Sequence, residues 1–151
     1  MNCPCGGGLY DECCKPLHDG RPADDAKQLM QSRYAALYLK NVDYIIKTTA
    51  PNQQGLLDRA VLLEWANEMN WLGLDIISHA PKVGKRHAQV HFYAYFDNGQ
   101  GKQTHDELST FVQIDGAWYF LDPTVPIPTN KQPCLCGSGK KFKACCGQFF
   151  R

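Results

Sequence analysis

For 119 consecutive residues, from Lys15 to Pro133, the chain has no cysteine, although it holds eight in all. No apolar run approaches the roughly 18 residues that suggest a membrane span. The opening Met1-Asn2-Cys3-Pro4 lacks the basic and apolar regions of a secretory signal. These absences predict a cytoplasmic protein, and in a reducing compartment cysteines serve as metal ligands or redox thiols more than as disulfides. No Cys-x-x-Cys pair occurs, so thioredoxin-type redox chemistry lacks its usual signature. Nucleophile elbow, phosphate loop and dinucleotide fingerprint are also missing. The residues from 131 onward contain no acid at all.

What is present fits one folded domain of 151 residues, with 44% hydrophobic and 21% charged residues. That balance argues against disorder. The net charge of +1 hides a split: residues 1–20 and 21–130 each carry −2, and Lys131, Lys140, Lys141, Lys143 and Arg151 give the last stretch +5. A basic tail suits an acidic partner, although a lysine-rich solvated turn has the same composition.

The cysteines fall into two matching sets. Cys3 and Cys5 are followed by Cys13-Cys14, and Cys134 and Cys136 by Cys145-Cys146. Each set offers four soft thiols on a short segment, the number that a closed tetrahedral zinc site needs. Gly6-Gly7-Gly8 and Gly137-Ser138-Gly139 allow tight turns between them, and Ser138 suits the cap of a short helix over residues 140–143. Two zinc ions per chain are therefore expected; four thiolates would also suit an iron–sulfur cluster. His18 follows the first set and reads as a surface histidine near a turn, with ligation as the alternative. Two zinc–tetrathiolate centres would shift the formal charge to about −3.

The middle of the chain changes period once. Ala26, Leu29, Met30, Arg33, Tyr34 and Leu37 recur at helical spacing, with Asp24 or Asp25 as cap and Asn41 as terminator. A short helix is expected from about Asp43, and a third across Leu57–Met69. Strands are expected over residues 72–80, up to Phe96, over 103–114 and over 117–122, with hairpin turns at Asn98-Gly99 and Asp115-Gly116. Helices followed by antiparallel strands make an α+β pattern.

The run from Cys134 to Gly147 resembles the SEC-C motif, the zinc-binding module named for the C-terminus of the SecA translocation ATPase. The first cluster resembles it too, with one residue fewer before the cysteine pair and Gly7-Gly8 in place of Ser-Gly. That resemblance implies a binding role, because in SecA the module contacts the chaperone SecB and the ribosome. Such motifs at both ends, with segments 29–34, 43–48, 107–111 and 115–119, resemble the YchJ-like family of uncharacterised bacterial proteins. The family resemblance implies a core like nuclear transport factor 2, with helices packed on a curved antiparallel sheet. It divides the chain into an N-terminal module (1–20), a core (21–125), and a linker with the C-terminal module (126–151).

A site on the core is also conceivable. Pairing around Asn98-Gly99 would bring His91 and Tyr93 beside Glu107 and Ser109, with Ala88, Val90 and Phe92 on the face of Leu108, Val112 and Ile114. Histidine beside a carboxylate can serve as acid or base, but alternating polar residues on a sheet usually form its wet face. The reading therefore favours a zinc protein that binds a protein partner, with no catalytic residue assigned. The alternatives are an enzyme or small-ligand carrier using the sheet pocket, and ribosome or RNA contact through Lys140, Lys141 and Lys143. Phe149 and Phe150 are expected as exposed anchors of the docking surface.

Overall fold

The computed structural model describes residues 1–150. Cys14 leads directly into α1 (Lys15–His18), with Pro16 in its first turn. The long helix α2 (Ala26–Tyr38) begins where Asp25 accepts a hydrogen bond from the Gln28 amide at 2.7 Å. Its stripe of Ala26, Leu29, Met30 and Tyr34 is buried, as the periodicity predicts. Asn41 does not end this helix. Lys40 takes a left-handed φ of 62° beyond it, and Asn41 instead caps α3 (Val42–Lys47), accepting from the Tyr44 amide at 3.2 Å. The short α4 (Pro51–Gln54) is too brief to leave a periodic signal. Asp58 then caps α5 (Arg59–Glu68), on which Ala66 is the one buried residue.

Four strands follow in a simple antiparallel meander: β1 (Asn70–Ala80), β2 (His87–Asp97), β3 (Lys102–Ile114) and β4 (Ala117–Phe120). Register shifts at Trp71/Gly73 and Ile76/Ser78 mark irregularities that bend β1 over the helices. Asp115 and Gly116 both adopt positive φ, 50° and 83°, as a tight two-residue hairpin turn requires. The result is α+β, with α2 packed through Leu29, Met30 and Tyr34 on Val90, Phe92 and Phe111.

The register between β2 and β3 differs by one residue from the sequence expectation. Val90 pairs with Ser109 and Phe92 with Glu107, whereas His91 faces Leu108 and Tyr93 faces Asp106. Leu108 is accordingly 58% exposed. The loop between the strands has four residues, 98–101, and Asp97 accepts from the amides of Gly99 and Gly101. The misleading signal sits at the other end of β3. Phe111 and Val112 are neighbours on opposite faces, yet both are fully buried. Phe111 belongs to the helix-side core, and Val112 packs with Leu121, Leu135 and Phe142 from the C-terminal segment. A strand covered on both faces loses its alternation, and a slip of one residue inverts every side chain.

Phe149 and Phe150 are not free anchors. Both are half-buried; Phe149 stacks on His87 at 4.6 Å and Phe150 on Phe142 at 5.4 Å. They pack against the rest of the chain because the C-terminal segment docks on the sheet, so they are not the fully exposed anchors expected.

Candidate functional site

Each cysteine set closes into one cluster, with its four sulfurs all within 4.8 Å of one another. In the first, Cys3, Cys5 and Cys14 are buried in the same core as Leu29, Tyr34 and Phe92. The loop folds back through hydrogen bonds from the Cys3 amide to Gly8 O and from the Gly6 amide to Cys3 O. Gly7 must lack a side chain: a Cβ there would lie 2.8 Å from Cys13 Sγ and 3.3 Å from Cys5 Sγ. Donation from Cys14 holds the Cys5 thiol down at about 5 against burial, and burial pushes Cys13 up to about 12. Four thiols this close cannot all ionise unless a cation joins them. A dication bound to four thiolates fits both clusters, because the donors already converge, and in the first Gly7 leaves room beside the sulfurs.

In the second cluster Cys134, Cys136, Cys145 and Cys146 are all buried. Ser138 occupies the place of Gly7 and donates to Cys145 Sγ at 3.5 Å. Its oxygen also accepts from the Lys140 amide, but the expected helix is only a 3₁₀ turn over Phe142–Ala144. Burial raises the Cys136 thiol, and hydrogen bonds from Ser138, Cys145 and Cys134 outweigh it, bringing it to about 7.

Two further residues reach this cluster from the core. Arg86 Nη2 donates to Cys136 Sγ at 2.6 Å, and His87 Nε2 lies 3.2 Å from Cys146 Sγ. Burial and the neighbouring Arg86 hold His87 down to about 4, so its ring is neutral; Nε2–H would donate to Cys146 Sγ once a bound metal held that sulfur as thiolate. Neither residue is visible as part of the metal site in the sequence, from which they lie 50 and 59 positions away. Asn52 of α4 adds a third tie, donating to Leu135 O at 2.7 Å.

Gly147 packs against this centre from below. A Cβ on it would lie 2.5 Å from Phe142 O, the acceptor of the Cys145 amide. Gly147→Ala is therefore expected to displace the Cys145-Cys146 pair and weaken metal affinity about tenfold, as loss of outer support commonly does. Competition with a chromophoric chelator measures this.

His18 takes no part in ligation. It is half-buried, with Nδ1 2.7 Å from the Tyr10 hydroxyl and Nε2 2.8 Å from Ser32 O. Burial lowers its pKa, and a neutral ring satisfies both contacts.

The four residues expected to form one pocket separate onto two faces. His91 bonds Asp106 at 2.6 Å on the outer face, with Tyr93 edge-on to its ring. Glu107 and Ser109 point toward the helices instead, where Ser109 Oγ donates to Glu107 and His105 Nε2 lies 3.2 Å from it. Beneath α2 and α5 these two residues border a cavity of about 610 Å³ that excludes His91 and Tyr93. Arg33 belongs to its wall; the sequence signal was a single charge inside the apolar stripe of α2.

Residues 25–123 match the family model described as the YchJ middle domain, like nuclear transport factor 2, and residues 131–148 match that of the SEC-C motif. A UPF0225 protein of Actinobacillus succinogenes is 54% identical over 149 residues, covering 97% of both chains. One from Haemophilus influenzae strain PittEE is 49% identical, covering 98% of this chain and 93% of its own. The crystal structure of a SEC-C motif protein from Psychrobacter arcticus superimposes with a TM-score of 0.92 at 48% identity, covering 99% of this chain and 97% of that one. The solution structure of another, from Rhodopseudomonas palustris, gives a TM-score of 0.74 at 41% identity, covering 81% and 96%.

Proposed function

The chain belongs to the YchJ-like, UPF0225 family of bacterial proteins, and on that premise we propose that it is a cytoplasmic binding protein with two structural zinc ions. Its C-terminal module docks on an acidic surface of a partner macromolecule. The observation that carries this reading is the side-chain division within the module. All four sulfurs point inward and are buried, while Lys140, Lys141 and Lys143 are exposed together on the outer turn.

Held by Cys134, Cys136, Cys145 and Cys146, zinc would supply the crosslink that fixes this turn, a structural role. The chain does the rest. Arg86 and His87 hold the module against the sheet, and Phe149 and Phe150 seal that seam. The three lysines are thereby held on one rigid turn, which reduces the ordering cost of binding.

The test is retention of partners from bacterial cytosol, and of purified ribosomes, on immobilised metal-loaded protein. A Lys140, Lys141, Lys143→Glu triple variant is expected to lose association at least tenfold while keeping its metal and fold. Association that falls steeply with salt and survives on bare RNA would favour the nucleic-acid alternative. Unchanged association across the charge reversal would remove the docking role.

A further inference from the structure

We infer that the cavity beneath α2 and α5 binds a compact apolar molecule carrying one carboxylate, seated with its head at Arg33. The site is separate from both metal centres and does not depend on the docking role. Its volume of about 610 Å³ lies within the range of about 300–1,000 Å³ usual for small-molecule sites. Met30, Tyr34, Trp65, Trp71 and Phe96 give it apolar walls.

The wall also holds a buried cation and a buried donor without an acceptor. Arg33 is 8% exposed, and Nη1 makes all its hydrogen bonds among the described residues, to Ile45 O, Thr48 Oγ1 and Thr49 Oγ1. Among those residues no carboxylate forms an ion pair with it. Burial draws its pKa down to about 10, which still leaves it charged at neutral pH. A buried cation without a direct counter-ion is costly. Trp71 is equally buried at 8% exposure, and its indole N–H has no partner. Arg33 and Trp71 thus line one cavity, Trp71 with an indole N–H unpartnered among the described residues and Arg33 with its guanidinium carbon 4.4 Å over the Phe120 ring.

The nearby carboxylates do not fill the gap. Glu107 and Asp122 act on Arg33 at longer range, and among the described residues neither forms an ion pair with it. Glu107 receives Ser109 Oγ and His105 Nε2, and Asp122 receives the Thr124 amide at 2.8 Å and Thr124 Oγ1 at 2.6 Å. A ligand carboxylate supplies the paired oxygens that a guanidinium fork matches best. The two protein carboxylates set a limit on ligand charge, since they repel a dianion more than a monoanion.

The experiment titrates the full-length, metal-loaded protein with decanoate, and in parallel with decanol, decylammonium and inorganic phosphate. Binding is read by tryptophan fluorescence and by the indole ¹⁵N–H resonances. Saturable one-to-one binding of decanoate is expected, moving the Trp71 indole signal, with decanol at least tenfold weaker and the other two not saturating. Arg33→Lys is expected to weaken decanoate about tenfold, because the fork is lost. Arg33 also anchors α3, so Val61→Glu provides a second variant. Val61 is 59% exposed and borders the cavity, so a carboxylate there repels decanoate and leaves decanol unaffected. Equal binding of decanol and decanoate, an unmoved Trp71 signal, or no saturable binding would overturn the assignment.

Discussion

Replacing Cys14 by serine is expected to lower the melting temperature of the entire protein in a single transition. Cys14 is 3% exposed and shares a continuous core with Leu29, Trp71 and Phe92. It also starts α1, whose His18 links Tyr10 to Ser32 of α2. A three-thiol site holds zinc poorly, and structural zinc contributes about 10–16 kcal/mol in finger peptides. Typical domains have only about 5–15 kcal/mol of net stability, so losing a fraction of the metal contribution is severe. Calorimetry beside elemental analysis decides it. A variant that keeps one metal per chain and an unshifted main transition would show that the first cluster is independent of the core.

A change in the second cluster, Cys145→Ser, is expected to act differently. Metal content should fall from two to one, and residues from about 126 onward should become open to protease while α2 and the sheet remain folded. The C-terminal segment packs on the far face of the sheet through Leu135 and Phe142 against Val112 and Leu121. The main core closes on the other face without it. Releasing the segment uncovers Val112 and Leu121, and a bared apolar face promotes association. Limited proteolysis with mass spectrometry maps the release, and light scattering reports the association. If the whole protein instead unfolds in one step, the sheet needs its second cover to stand.

Much of this arrangement is legible in the residues themselves. The stripe of α2, the Asp25 cap and the Asp115-Gly116 turn are local, and each appears where the pattern places it. Both cysteine sets converge as their spacing implies. The β2–β3 register was not legible, because burial of both Phe111 and Val112 erases the alternation that fixes a face. Hence the sequence pattern groups His91 and Tyr93 with Glu107 and Ser109, from which the pleat divides them. Arg86 and His87 carry no periodic or spacing signal toward Cys136 and Cys146; only the docked C-terminal segment brings them together. Arg33 did carry a signal, since a charge within a buried stripe needs a partner.

The short spacing inside each cysteine set also bears on the order of assembly. Twelve residues span Cys3 to Cys14 and thirteen span Cys134 to Cys146, so each metal loop closes at low entropic cost. The cores that flank them join residues far apart in sequence, with Cys5 and Phe92 in one and Val112 and Leu135 in the other. Local loops form early and distant pairings late. The first set could therefore take up a metal on the nascent chain before the meander exists. The first is ready when α2 has still to be synthesised, and it then serves as a preformed wall on which that helix and β2 condense. The second arrives last, already rigid, and docks as a finished plug on the open side of the sheet.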